Sequence, residues 1–242
     1  MPFLNRAGVD LWYEVVDAVA PWNTSPSTIV FHHGVAMSSG LWRAWLPALV
    51  DRYRVVMFDM RGYGRSGHQP QGTAWSMDLL ADDLGAVADA AGAQRFHLVG
   101  ESIGGTVAMV YALRHPHRVA SLAVSNGSPR GLQVRNIAGW RETMAQKGQE
   151  AWADEVMARR FHEGQLDAGR WQWAWRQHVD CSAQACVELG ELLARADITE
   201  RLAELGMPTL LLSPDGSPFI PAAVMLDMAA RIPGAELKVF PH

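Results

Sequence analysis

Between the apolar run Phe96-His97-Leu98-Val99 and the helix-like stretch Thr106 to His115, the chain reads Gly100-Glu101-Ser102-Ile103-Gly104-Gly105. A strand that turns at once into a helix brings backbone against backbone. Glycines two before and two after the serine meet that demand, because a Cβ there would have no room. The segment therefore predicts a buried strand, a sharp turn and a helix, with one hydroxyl on the corner, the setting in which a serine becomes a nucleophile. Glycine and serine are common residues, and a turn that only caps a helix is the plain alternative. The strand before and the helix after favour the chemical reading. A serine hydroxyl is a weak nucleophile without a base, so the rest of the chain is read for one.

Five further runs share the character of Phe96 to Val99: Ile29 to His32, Val55 to Phe58, Ser121 to Val124, Thr209 to Leu212 and Leu237 to Phe240. Continuous apolar runs of this kind suit parallel strands covered on both faces. Helical spacing fills the gaps. Leu80, Leu84 and Val87 recur at helical intervals in a segment that starts at Ser76 and is closed by Gly92, and helices are expected also near 42–50, 104–115 and 221–232. The alternation predicts an α/β fold with a doubly wound, mostly parallel sheet. Val9 to Val16 alternates with period two, which predicts an opening antiparallel strand or hairpin.

From Asn126 to about Leu205 the alternation stops and helical signals dominate. The expected organisation is a first part of the core over 1–125, an inserted helical lid over 126–205 and the final strands over 206–242. Trp140, Trp152, Trp171, Trp173 and Trp175 crowd the insertion. Trp171 and Trp175 share a helical face and are the candidate substrate-pocket residues, with ordinary packing of the lid as the alternative. Asp197 and Glu200, ahead of an apolar stretch, read as a capping pair.

A chain of 242 residues with 49% hydrophobic content can build one full core. Its net charge of −4 offers no basic surface for nucleic acid. No apolar stretch approaches the ~20 residues that span a bilayer. The N-terminus lacks the apolar segment of a secretion signal, which makes the cytoplasm the expected compartment. The two cysteines, Cys181 and Cys186, are expected in one helix, where a spacing of five does not bring side chains to one face, so they read as two reduced thiols. His32 and His33, and His115 and His117, read as structural or surface histidines, and no metal-binding cluster is evident.

Three blocks stand in order: His33-Gly34-Val35 after the run Ser27 to Phe31, then Asp59-Met60-Arg61-Gly62-Tyr63-Gly64-Arg65-Ser66, then Gly100 to Gly105. Together they resemble the α/β-hydrolase family, from about Leu11 to the last residue. Asp197 to Leu202 and Met207 to Leu212 resemble the 3-oxoadipate enol-lactonase and small-esterase branch.

That resemblance implies Ser102 as nucleophile, with an oxyanion held by the backbone N–H groups of Val35 and Ile103. It implies an acid in the loop Ser213-Pro214-Asp215-Gly216-Ser217-Pro218-Phe219-Ile220-Pro221. Ser217 stands where the family pattern has aspartate, and Asp215 is the nearest carboxylate. The base belongs after the last strand, where His242 stands slightly short of the family position. The expectation is a shortened chain lacking its base and prone to form homo-oligomers, with a swinging His242 as the alternative. The implied activity is hydrolysis of a small-molecule ester or lactone without a cofactor. Perhydrolase or haloperoxidase chemistry of the same fold, or a catalytically impaired small-molecule binder, are the rival readings.

Overall fold

The computed structural model describes residues 3–70, 72–135, 137, 139–161 and 164–241. Strands β1 (Phe3–Arg6) and β2 (Val9–Val16) form the opening hairpin, and β2 lies antiparallel to β4 (Arg54–Phe58). All further pairings are parallel, through β3 (Thr28–His32), β5 (Phe96–Glu101), β6 (Val119–Ser125), β7 (Thr209–Pro214) and β8 (Glu236–Phe240). The spatial order is β1-β2-β4-β3-β5-β6-β7-β8, with β8 at an edge.

Period-two geometry explains why the central runs carry no polar face. In β3 and β4, Ile29, Phe31, Val55 and Met57 point to one side, against Trp42, while Val30, Val56 and Phe58 point to the other, into the main core. Helices α1 (Met77–Ala90) and α2 (Ile103–Arg114) supply that core with Leu80, Leu84 and Val87 and with an unbroken buried run from Ile103 to Leu113. Each large aliphatic or aromatic side chain so buried contributes roughly 1.5–3 kcal/mol. Ser76 starts α1, its hydroxyl accepting from the Leu79 amide. The helix expected near 42–50 is a 3-10 helix over Ser39–Ala48, with Pro47 inside it.

Three helices lie between β6 and β7: α3 (Trp140–Arg160), α4 (Ala168–Asp180) and α5 (Ala183–Arg195). Helix α6 (Ala222–Arg231) follows β7 and packs against it. The expected capping pair does not form: Ile198 is the cap of the 3-10 helix Thr199–Glu204 and has no side-chain cap bond, Asp197 accepts from the Thr199 amide at 3.0 Å one residue earlier, and Glu200 lies in the first turn.

The cysteines depart from expectation. They do not share a helix: Cys181 ends α4, and Ser182 caps α5, its hydroxyl accepting from the Ala185 amide. The corner between the helices turns the two side chains toward each other, and both are free thiols 3.1 Å apart, sulfur to sulfur.

His32 and His33 are fully buried, so neither is a surface residue. His33 Nε2 accepts from the Met60 amide at 2.9 Å, tying the end of β3 to the loop after β4. Asp59 in that loop accepts from the amides of Ser39 and Arg65, and Arg61 forms a buried two-pronged pair with Asp83 at 2.5 and 2.6 Å. The Asp59 to Ser66 block is thus a scaffold for the corner beside the elbow.

Candidate active site

Strand β5 runs into α2 through Ser102, whose backbone sits at φ 56° and ψ −125°, a region L-residues rarely occupy and one concentrated at functional sites. The surroundings hold it there. Its N–H donates to Ser125 O at 2.9 Å. A Cβ on Gly100 would overlap the Gly104 carbonyl, and one on Gly104 would lie 2.6 Å from the carbonyl oxygens of His32 and His33. The glycines of the motif are therefore what lets β3, β5 and α2 converge.

The chain after β3 passes against the same corner. A Cβ at Gly34 would overlap the Glu101 carboxylate and stand 2.9 Å from Ser102 Cβ. Val35 follows and, with Ser102, lines a cavity of about 470 Å³. Ile103 begins α2, and first-turn amides of a helix have no acceptor within the helix.

The cavity opens at the carboxyl ends of the strands, where open α/β sheets bind ligands. Glu101 and Ser102 come from β5 and its turn, Asn126 from the end of β6, Pro214 and Asp215 from β7, and Phe240 from β8. Asp215 stands at the turn leaving β7, and its N–H donates to Phe240 O at 3.1 Å. Ser217, on the same wall, is turned to its own loop, its hydroxyl accepting from the Ile220 amide at 3.1 Å. The described structure thus brings Ser102, Val35 and Asp215 around one cavity, with Ile103 adjoining Ser102.

His242 lies outside the described residues, as does His162. The seven other histidines do not line the cavity. Burial holds His32 and His178 at a pKa of about 3 and lowers that of His33, so these three are neutral.

A family model described as the alpha/beta hydrolase fold matches residues 27–242. The chain belongs to that family. A haloperoxidase of the non-heme type from Rhodococcus erythropolis is 31% identical over 259 residues, covering 100% of this chain and 91% of the relative. The RutD protein of Azorhizobium caulinodans, to which a carbamate hydrolase activity is ascribed, is 29% identical over 255 residues, covering 98% of this chain and 88% of the relative. The crystal structure of the enol-lactonase from Burkholderia xenovorans LB400 superposes with a TM-score of 0.87 at 21% identity, over 99% of this chain and 91% of that one. The protein is an α/β-hydrolase enzyme of hydrolytic function.

Two features of this α/β hydrolase's cavity went unread in its sequence. Trp171 and Trp175 are not among the lining residues; Trp140 is. Trp171 shares the face of Ala174 and His178 but sits in the first turn of α4, where it packs on Phe161 and stays partly exposed, while the Trp175 indole donates to Asp154 at 2.8 Å. A shared helical face identified a stripe, and the stripe is used for packing.

The second feature is a charge pair. Glu101 and Arg160 both line the cavity, and Arg160 lies 5.7 Å over the Phe219 ring. Burial pushes the Glu101 carboxyl above the ordinary carboxylate range, with the Arg160 charge opposing, while burial lowers Arg160 and the Glu101 charge opposes. Glu101 Oε2 is buried without a hydrogen-bond partner among the described residues. The only signal available in the sequence was Arg159-Arg160 closing a helical run directly before Phe161.

Proposed function

We propose that this hydrolase cleaves a carboxylic ester or lactone of a small molecule through an acyl-enzyme on Ser102, with α3, α4 and α5 acting as its lid. The observation that carries the reading is the strained Ser102 corner opening on a cavity at the carboxyl ends of β5 to β8.

Ser102 Oγ attacks the carbonyl carbon as its proton passes to a histidine base, the role assigned to His242. The amides of Val35 and Ile103 hold the developing oxyanion. Asp215 orients and stabilises the imidazolium. The protonated base then gives its proton to the leaving alcohol, and water, activated by the same base, releases the acid and frees Ser102. Val134, Ile137, Trp140, Leu193 and Phe219 suit an apolar acyl or alcohol group. The likeness to a haloperoxidase supports a second reading, in which hydrogen peroxide replaces water and the released product is a peracid.

A fluorophosphonate probe followed by peptide mass mapping tests the core of the proposal. The adduct is expected on Ser102, and Ser102→Ala should abolish both labelling and turnover of a p-nitrophenyl ester. Labelling elsewhere with Ser102 unmodified would overturn it. Peracid formation exceeding ester hydrolysis when peroxide is supplied would select the second reading.

A further inference from the structure

Behind the cavity wall, where α3, α4 and α5 meet the core loop, lies a group of atoms that ester hydrolysis does not use. Cys181 Sγ and Cys186 Sγ are 3.1 Å apart, about 1 Å beyond a covalent S–S bond of about 2.0 Å. The pair is held from every side. Gln149 of α3 donates to the carbonyls of His178 and Cys181 at 2.8 and 2.7 Å, fixing the end of α4. The Cys186 amide donates to Ser182 O at 2.9 Å, fixing the start of α5. Tyr63, from the loop after β4, places its hydroxyl 3.5 Å from Cys186 Sγ. Cys181 is 9% exposed and Cys186 fully buried, and neither lines the cavity beside Ser102.

We propose that Cys181 and Cys186 are a redox modification site, a dithiol that a small hydroperoxide converts to an intramolecular disulfide joining α4 to α5. The roles of the two sulfurs differ. The Tyr63 hydroxyl, 3.5 Å away, donates to Cys186 Sγ, and the Arg160 charge also favours a thiolate there. The Cys181 thiol has a carbonyl acceptor, His178 O at 3.2 Å, that holds its proton. Cys186 is therefore the attacking thiolate and Cys181 the resolving thiol.

In the first step the Cys186 sulfur attacks the terminal oxygen of the hydroperoxide. The O–O bond breaks, a sulfenic acid forms, and the remaining alkoxide or hydroxide leaves as an alcohol or water with the thiol proton. In the second step Cys181 attacks the sulfenic sulfur, the S–S bond forms and water departs. Two thiols and one hydroperoxide thus give one disulfide, one alcohol or water, and one further water. Enclosure of both sulfurs excludes a bulky disulfide such as oxidised glutathione, which leaves a small hydroperoxide as the fitting oxidant class.

The chain contains two cysteines, so intact mass reports the outcome directly. After treatment with hydrogen peroxide and alkylation under denaturing conditions, the protein should lose the mass of two hydrogens, take up no alkylating agent, and recover both thiols with dithiothreitol. Tm should rise by about 5 °C through closure of the short loop. Cys181→Ser should stop at a Cys186 sulfenic acid that dimedone traps. Two alkylatable thiols after peroxide, oxidation of one cysteine with the other left free, a disulfide between two molecules, or a glutathione adduct on either residue would each overturn the proposal.

Discussion

Asp215 and Ser217 compete for one role in the loop after β7, and their hydrogen bonds separate them. Ser217 accepts from the amides of Phe219 and Ile220, the work of a turn residue, while Asp215 faces the cavity that holds Ser102. Asp215→Asn is expected to lower kcat on an activated ester by about 10⁴, the scale reported for a triad aspartate, whereas Ser217→Ala should leave kcat within about twofold. Steady-state kinetics on both variants checks this, and an unchanged kcat for Asp215→Asn would remove Asp215 from the acid's role. Trp140 is the ring expected to touch substrate. Its replacement by Ala should raise KM for a bulky ester several-fold with kcat little changed, while Trp171→Ala should leave KM unaltered.

The break within α3 is set by one residue. Gly148 has φ 85° and ψ 170°, a conformation open essentially to glycine alone, and it divides the segment carrying Trp140 from the segment ending in Arg159 and Arg160. Both segments reach the cavity, so the angle at Gly148 shapes it. Gly148→Ala should cost about 1–3 kcal/mol of stability and raise KM as well. Urea unfolding together with ester kinetics tests the pairing; an unchanged KM in a destabilised variant would reduce Gly148 to a packing role.

Three buried neutral histidines give the whole molecule a pH dependence. Desolvation holds His32 and His178 at a pKa of about 3 and lowers His33, against about 6.5 in the unfolded chain. The unfolded chain therefore binds more protons than the folded one below about pH 6.5, so the stability these groups confer is complete above that value and is lost as pH falls toward about 3. His32 and His178 alone can add a slope of up to about 2.7 kcal/mol per pH unit. The urea midpoint should fall steadily from about pH 7 to about pH 5, and a flat profile would show that these rings are solvated. Breaking the Arg61–Asp83 pair by Asp83→Ala should cost about 3–5 kcal/mol, because it strands a buried guanidinium.

Much of this enzyme is legible along the chain because the physics involved is local. The strand periods, the Ser76 cap and the glycines around Ser102 each report an interaction between neighbours in sequence, and each predicted strand appears within a few residues of its expected place. Where side chains from distant segments meet, sequence pattern loses its grip. Trp171 and Trp175 share a face, yet α4 is rotated so that this face packs while Trp140 lines the cavity. Cys181 and Cys186 are expected to diverge on one helix, and a helix corner set by Ser182 and clamped by Gln149 turns them together. The cation that opposes the burial of Glu101's charge is Arg160, on a helix far along the chain. Periodicity states which side of an element is apolar; which neighbour that side meets depends on how the elements pack, and that arrangement sets the cavity's lining and the partners of its buried charges.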